Sequence, residues 1–355
     1  FREPEASRAR ADMQADAGPA RPLKHQHQAA FDIFDYPGEY EERGEGQRIA
    51  AVRIEEMRHQ FDHFNGEGNA AGLATGGLFK LLEHPRDDQN QEYLIVEADY
   101  RVEESPLESE LATTELIGLR FRAIPSAQIF HPPRLTPKPI VQGPQTAIVV
   151  GPAGDEIHTD KYGRVKVQFH WDRYGKKDQN SSCWIRVSHP WAGQNWGMIA
   201  IPRIGQEVIV EFLEGDPDRP IITGRVYNAD QMPPYALPAN MTQTGIKTRS
   251  TKGGGVANFN EIRFEDKKGA EQVYIHAEKN QDIVVENDET TNVGHDRTET
   301  VGHDETITIH NDRTETVGHN EVVTIGANKA ETVAVAKALS IGAGYAVTVG
   351  AGMNT

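Results

Sequence analysis

Val293-Gly-His-Asp-Arg-Thr-Glu-Thr300 is followed directly by Val301-Gly-His-Asp-Glu-Thr-Ile-Thr308, and this eight-residue pattern continues unbroken to Thr348. The first octad position is Val or Ile in all seven units: Val293, Val301, Ile309, Val317, Ile325, Val333 and Ile341. The eighth position is always Thr or Ser, and the second is Gly in five units: Gly294, Gly302, Gly318, Gly326 and Gly342. Self-similarity at a fixed period indicates a repeat architecture.

The residue types predict one short strand and one corner in each octad. Eight is not a helical period, and Val, Ile and Thr at fixed places favour strands. Gly once per unit predicts a corner that needs a permissive φ. One chain cannot close a prism with strands this short, whereas three chains that each contribute an octad can. We therefore expect an intertwined homotrimeric β-helix that rises by about 4.8 Å per octad, or roughly 45 Å from Ala277 to Val349.

Charged residues recur at two further octad positions. Position five carries Arg297, Glu305, Arg313, Glu321 and Lys329, and position seven carries Glu in alternate octads: Glu299, Glu315 and Glu331. The octads between them have an aliphatic residue at position seven: Ile307, Val323 and Leu339. Two interpretations stay open, namely cross-strand charge pairs on solvated faces and a pH-sensitive charge ladder inside the prism.

Three histidines, His295, His303 and His319, share octad position three. A trimer would stack them in rings of three, and imidazole rings so placed could bind a metal. Each histidine, however, lies beside an Asp or Asn close to the predicted corner. We interpret them as solvated corner residues, and we predict neither a metal, nor a cofactor, nor a catalytic residue.

Composition limits the classes of function. The 355 residues carry 37 Lys and Arg against 53 Asp and Glu, a net charge of −16. This balance argues against a protein that binds nucleic acid or an anionic membrane surface. Residues 333–352 superficially resemble a membrane span, but they are rich in Ala and Gly rather than in Leu or Phe. Lys337 and Tyr345 also interrupt them and the octad register continues, so we reject a membrane span. The chain begins with Phe1 and shows no signal peptide, so we expect a fragment.

A second β region precedes the repeat. Val165, Val167, Phe169 and Trp171 alternate with polar residues, and the same period of two recurs in 183–187 and 208–212. Turns are predicted at 160–163 and 215–220. Several half-buried strands without a helix signal predict a small closed or nearly closed barrel.

The first part of the chain is mixed. Arg2–Arg21 is predicted to be a helix or a linker, Phe31–Tyr40 an extended stretch with a Pro-Gly turn, and residues 47–64 a helix. Strands are predicted at 78–82, 93–102 and 116–124. Four prolines in residues 131–139 predict an extended domain boundary. Residues 232–255 are expected to form a neck without a core of its own.

Other candidate sites receive structural interpretations. Cys183 is predicted to be a buried apolar group in the barrel. The four tryptophans, Trp171, Trp184, Trp191 and Trp196, are attributed to core and interdomain packing, because residues 140–228 carry ten Lys and Arg and ten Asp and Glu rather than a basic groove. Residues 251–255 resemble a phosphate-binding loop only in composition.

Several motifs resemble the VgrG family of type VI secretion spikes. In the barrel region these are Glu156-Ile-His-Thr-Asp-Lys-Tyr-Gly-Arg-Val-Lys-Val-Gln-Phe-His-Trp-Asp172, Cys183-Trp-Ile-Arg-Val-Ser188, Ile201-Pro-Arg-Ile-Gly-Gln-Glu-Val208 and Glu214-Gly-Asp-Pro-Asp-Arg-Pro220. Asp35-Tyr-Pro-Gly-Glu-Tyr40 is similar to the family's hub segment, and Asn260-Glu-Ile-Arg-Phe-Glu-Asp266 is similar to the start of its β-helix.

The resemblance implies a mainly β homotrimer with four parts. These are the C-terminal part of a phage-hub-like domain (1–138), an oligonucleotide/oligosaccharide-binding (OB) fold barrel (139–228), a neck (229–260) and a triple-stranded β-helix (261–355). The family's hub domain is longer than 1–138, which implies that its N-terminal part is missing.

The resemblance also implies a non-enzymatic function. It predicts a spike that punctures a target membrane and carries effectors on sheath contraction, with an Hcp-like tube protein and a PAAR-repeat tip protein as further partners. Nucleic acid is not expected as a partner. The spike would assemble in the bacterial cytoplasm and then be secreted or injected. The alternative function is a phage-type tail spike or a β-helical glycan-degrading enzyme, which would need two carboxylates in a cleft.

Overall fold

A computed structural model describes Gly38, Tyr40 and residues 42–58, 63–103 and 116–350. The predictions for Arg2–Arg21 and for Phe31–Pro37 lie outside these residues. The chain divides into two units, 1–281 and 282–355, and each is described by itself.

Among the described residues, the first unit begins with a helix, which is followed by a four-stranded antiparallel sheet. Helix α1 is Arg43–Arg58, and the strands are β1 (Phe64–Gly68), β2 (Leu78–Lys80), β3 (Glu92–Glu103) and β4 (Leu116–Pro125), in the order β1-β4-β3-β2. The three predicted strands are confirmed. The helix predicted for 47–64 is wrong at its end, because Phe64 pairs with Ala123 in the sheet and its ring lies 4.7 Å from that of Tyr93. Tertiary packing thus overrides the local helical pattern.

Buried residues of β3 and β4 form the core beside this sheet. Tyr93, Ile95, Leu119 and Ile124 are almost fully buried. Phe79 stacks on Tyr93 at 5.5 Å. Residues 131–135 and 137–140 then run without helix or strand, as the prolines predict.

The barrel consists of one five-stranded sheet and one small two-stranded hairpin. The strands are β5 (Gln145–Val150), β6 (Lys166–Phe169), β7 (Arg186–Val187), β10 (Glu207–Phe212) and β11 (Pro220–Val226), and the hairpin pairs β8 (Trp191–Ala192) with β9 (Gly197–Met198). The sheet order is β6-β5-β10-β11-β7. Backbone hydrogen bonds between Val165 and Ile185 join the two ends of this order, so the barrel closes on itself.

Alternating apolar residues fill the barrel. Val165, Val167, Val208 and Val210 have no exposed surface, and Ile185 is 1% exposed. The predicted turns are also present, with Gly163 and Gly215 at φ values of 72° and 69°.

For two side chains of the barrel, the prediction of burial or exposure is wrong. Cys183 is exposed, not buried, because strand alternation starts only at Ile185. Gln168 belongs to the polar set of its strand yet is 5% exposed, because its side chain donates to the Asp172 carbonyl and accepts from the Lys177 amide. The exposure of both side chains is determined by local turns rather than by the period of two along a strand.

A three-stranded antiparallel sheet follows the barrel. It comprises β12 (Gln243–Lys247), β13 (Glu261–Glu265) and β14 (Gln272–His276), in that order. The prediction that Asn260–Asp266 begins a β-helix missed this arrangement, because β13 pairs antiparallel with strands of its own chain.

The second unit is different. Within residues 282–350, all of which the structure describes, no residue belongs to a helix or a strand. No helix in the described part of the chain is long and apolar enough to cross a membrane.

Candidate functional site

The octad segment, residues 282–350, bends at a constant interval of eight residues. The bends lie at octad positions two and three in each complete octad: 286/287, 294/295, 302/303, 310/311, 318/319, 326/327, 334/335 and 342/343. No backbone hydrogen bond joins two residues of the segment. The segment therefore has extended arms and regular corners but no pairing within its own chain.

The arms have two sides that differ in exposure. Side chains at position one are 44–53% exposed, from Ile341 to Ile309. Aliphatic residues at position seven are 52–72% exposed, whereas Val335 at position three, Val322 at position six and Val284 at position eight are 82–97% exposed. Positions one, five and seven lie on one face because side chains alternate along an extended arm. We call this the inner side.

The charges at positions five and seven lie on the inner side. Arg297 donates to Glu299 at 2.9 Å and Arg313 donates to Glu315 at 3.0 Å. Lys337 Nζ lies 2.6 Å from Glu331, and this hydrogen bond holds the pKa of the Glu331 carboxyl below its usual range. Both interpretations, charge pairs on solvated faces and a ladder inside the prism, stay predictions.

The corner glycines do not use the conformation expected of them. None of Gly294, Gly302, Gly318, Gly326 and Gly342 has a φ in the left-handed region, so the expectation of a permissive φ is wrong. A Cβ added at these positions would meet no atom of the same chain within 4 Å. Ala334 and His310 also occupy bends, so the corner itself does not require glycine.

The histidines point away from the inner side. The side chains of His295 and His303 are 92% exposed, and each lies within 2.9 Å of the carboxylate of the following Asp. His319 is also exposed. Among the described residues of one chain, no three His, Cys, Asp or Glu side chains come together to hold a metal. That these histidines are solvated corner residues, rather than rings that bind a metal in a trimer, stays a prediction.

The sheet β12-β13-β14 presents an apolar face that sequence reasoning missed. Register places Ile246, Ile262 and Ile275 in one cross-strand row, with Phe264 beside Val273 in the next. All five side chains are 44–64% exposed, although they share one face. The period-two spacing within each strand was the available signal. We call these five residues the neck face.

The opposite side of this sheet is covered by its own chain. The Tyr235 hydroxyl lies against Gly245, and the guanidinium of Arg263 lies 4.7 Å from the centre of the Tyr274 ring. Glu261 is 4% exposed. Within residues 232–255, all of which the structure describes, no residue is buried, as expected of a neck without a core of its own.

The glycine-rich loop 251–255 binds a carboxylate of the barrel. Thr251 Oγ1 donates to Glu156 Oε2 at 2.5 Å, and the Gly253 amide donates to Oε1 at 2.8 Å. Lys252 Nζ lies 3.1 Å from Asp155. These hydrogen bonds, the one from Thr251 first, hold the pKa of Glu156 below its usual range. The loop resembles a phosphate cradle because it receives an anion, but that anion is a side chain of the same protein.

The tryptophans do not pack in the barrel core as predicted. Trp171, Trp191 and Trp196 are 59–65% exposed. Trp191 and Trp196 contact each other edge to face across the β8–β9 hairpin at 5.1 Å, and Trp171 stacks on Phe169. Core packing is therefore wrong for these three, while interdomain packing stays a prediction.

Three family models match the chain in the order of its parts. The phage tail baseplate hub model matches residues 1–106, the type VI secretion system/phage-baseplate injector OB domain matches 145–227, and the bacteriophage T4 gp5 C-terminal trimerisation domain matches 244–355. Two curated relatives from Pseudomonas aeruginosa (strain PAO1) are named type VI secretion system spike proteins VgrG1b and VgrG1a. They are 59% identical over 283 residues and 58% identical over 274 residues. The chain belongs to the VgrG family.

The family assignment confirms the fold class, with hub, OB and trimerisation parts in a mainly β chain. The matches cover 78% and 76% of this chain but only 38% and 42% of these VgrG proteins, so the chain spans well under half of their length. A solved E. coli protein, c3393, described as a type VI secretion component similar to phage gp27 and gp5, has a TM-score of 0.36. It is 23% identical over 50% of this chain and 43% of its own.

Proposed function

We propose that three copies of this chain form the spike of a type VI secretion system, which punctures a target membrane and delivers effectors when the sheath contracts. The proposal gives each part of the chain a role: hub in 1–138, OB barrel in 139–228, neck in 229–276, which includes the sheet β12-β13-β14, and β-helical shaft in 277–355. The family and its trimerisation domain support this function.

The octad segment is the observation that carries the proposal. Its backbone makes no hydrogen bonds within the chain, yet its corners recur every eight residues and its inner side repeats Val or Ile. Unpaired strand edges are exposed templates for pairing with another chain. Two further copies would pair every arm on both edges and cover the inner side. Such pairing explains why the corners and the Val or Ile positions repeat so regularly in a segment that makes no backbone hydrogen bonds of its own.

The proposed role is mechanical rather than catalytic. A shaft of repeated short strands offers stiffness, because removing one chain requires breaking its pairing with two others. The proposed partners are a ring-forming tube protein below the hub, a PAAR-repeat tip protein and effector cargo. The spike would assemble in the bacterial cytoplasm and leave the cell on contraction.

The experiment has two stages. Multi-angle light scattering of the 355-residue chain should give the mass of a trimer, and the trimer should stay assembled in SDS without heating. A monomer in light scattering would exclude the proposed three-chain shaft. Deletion of the gene in its own bacterium should then abolish secretion of the tube protein. Retained secretion, or turnover of bacterial polysaccharide by the purified trimer, would instead favour the phage-tail or glycan-degrading alternative.

A further inference from the structure

Position five of the octads alternates strictly in sign through six consecutive units. The residues are Glu289, Arg297, Glu305, Arg313, Glu321 and Lys329. Position one, on the same inner side, is always Val or Ile in this stretch. The aliphatic pattern therefore cannot distinguish one octad from the next, whereas the charges can.

Position seven varies in step with position five. Each basic octad has Glu at position seven, and each acidic octad has an uncharged residue there: Thr291, Ile307 and Val323. Within the chain, the side chains of Arg297 and Glu299 pair while remaining 66% and 57% exposed. No octad from 285 to 332 thus places two like charges on the inner side. The pattern of charges therefore repeats every two octads, whereas the pattern of aliphatic residues and corners repeats every octad.

The geometry of a three-chain prism determines which octads become neighbours. The three octads of one rung lie on three faces, and each chain passes to the next face at every corner. The strand directly above a given octad is therefore the following octad of a neighbouring copy, about 4.8 Å away. Position five of one octad then lies beside position five of the next, so Glu305 of one copy is flanked by Arg297 and Arg313 of the others.

We propose that this two-octad charge alternation fixes the register in which three copies of the chain assemble. In the correct register each position-five charge from Arg297 to Glu321 has opposite charges above and below it, and like charges meet only where Lys337 follows Lys329. A slip of one copy by one octad places like charges side by side, although every Val and Ile still meets an equivalent residue. Opposite charges on neighbouring strands stabilise and like charges destabilise, whereas a uniform apolar pattern leaves register weakly specified. The inference rests on the proposed trimer.

Cysteine pairs on the outer side can report the register directly. In a Cys183→Ser background, Thr306→Cys with Thr314→Cys places thiols on consecutive octads at position six. Neighbouring copies in the correct register bring these two within disulfide range. Thr306→Cys with Val322→Cys spans two octads and should crosslink only after a slip. The parent chain should form a covalent trimer with the first pair and not with the second.

A charge exchange then tests the cause. Glu305→Arg combined with Arg313→Glu preserves composition and net charge but creates like neighbours at 297/305 and at 313/321. We expect the 306/314 crosslink to fall by roughly tenfold, because several favourable contacts per trimer become repulsive. The 306/322 crosslink should rise, or the exchanged chain should stay monomeric. The control Arg313→Lys with Lys329→Arg keeps every sign and should behave like the parent.

The outcomes separate the two proposals. An exchanged chain that crosslinks at 306/314 as fully as the parent and melts at the same temperature overturns the register inference alone. A parent chain that remains monomeric and forms neither crosslink overturns the proposed trimeric function itself.

Discussion

The barrel and the octad segment are both built from short extended stretches, yet they satisfy their backbones in opposite ways. The barrel closes through the Val165–Ile185 hydrogen bonds and buries Val167 and Val208 completely. The octad segment pairs nothing within the chain and leaves its position-one side chains about half exposed. The comparison indicates that the barrel is stabilised within one chain, whereas the segment depends on other copies.

The largest effect is expected for a charge at octad position one. Val317→Asp would place three carboxylates near the axis of a trimer, and each unpaired buried charge costs several kcal/mol. We expect loss of the trimer by multi-angle light scattering. All four tryptophans lie between residues 171 and 196, so their fluorescence should show that the barrel still unfolds as before. Val317→Ile is the matched control, because Ile occupies this position in other octads. A trimer as stable as the parent's would show that position one does not face its partners.

A cavity in the barrel should lower the stability of the barrel without dissociating the trimer. Ile185→Ala removes a side chain that is 1% exposed and should destabilise the barrel by about 2–5 kcal/mol. Tryptophan fluorescence during denaturant unfolding measures this change, while the trimer should persist in light scattering. Cys183→Ser, two residues away and exposed, should change stability by no more than about 0.5 kcal/mol. Equal effects of the two variants would contradict the assigned burial.

The neck face should show an intermediate effect. Ile262→Ser replaces an apolar side chain that is 47% exposed in one chain and that we expect another copy to cover. Loss of that further burial should destabilise the trimer by about 1–2 kcal/mol per chain. In a dilution series followed by light scattering, the variant trimer should therefore dissociate at a higher protein concentration than the parent. Val256→Ser, at a residue that is 86% exposed, should leave that concentration unchanged. A lower unfolding stability of Ile262→Ser with an unchanged dissociation concentration would show that no other copy covers the neck face.

The smallest effect is expected at the barrel–loop contact. Glu156→Gln cannot accept from both Thr251 and Gly253 as the carboxylate does, so trypsin should cleave after Lys252 more readily. Glu211→Gln, on a barrel strand, is the control. Because the folded pKa of Glu156 is lowered, its stabilisation is present above the ordinary carboxyl pKa and is lost as the pH falls through the folded value. The difference in unfolding midpoint between native and variant should vanish there, and a constant difference would contradict the assignment.

The octad period and the alternation along the barrel strands could be predicted from the sequence. The exposure of side chains that depends on turns, and the strands that form by pairing with distant strands, could not. The octads and the barrel strands follow from alternation that is visible in 165–169, 208–212 and 293–348. The exposure of Cys183 and the burial of Gln168 depend on neighbouring turns, so strand parity predicts both incorrectly. Strand β1, with Gly66 and Gly68, carries little strand signal and forms because it pairs with β4. The neck face was missed because its rows form only when Ile246, Ile262 and Ile275, which are far apart in sequence, pair across three strands.

The regular bends also determine how the proposed shaft would carry force. Arms that turn a corner every eight residues run around the axis, so their interchain hydrogen bonds point along it. A push from below then compresses the spacing between stacked strands and leaves the covalent backbone unloaded. A pull on one chain end would instead load single rungs in succession and open the stack from its end. Such a shaft resists compression better than tension, which suits a body that is driven forward and never drawn back.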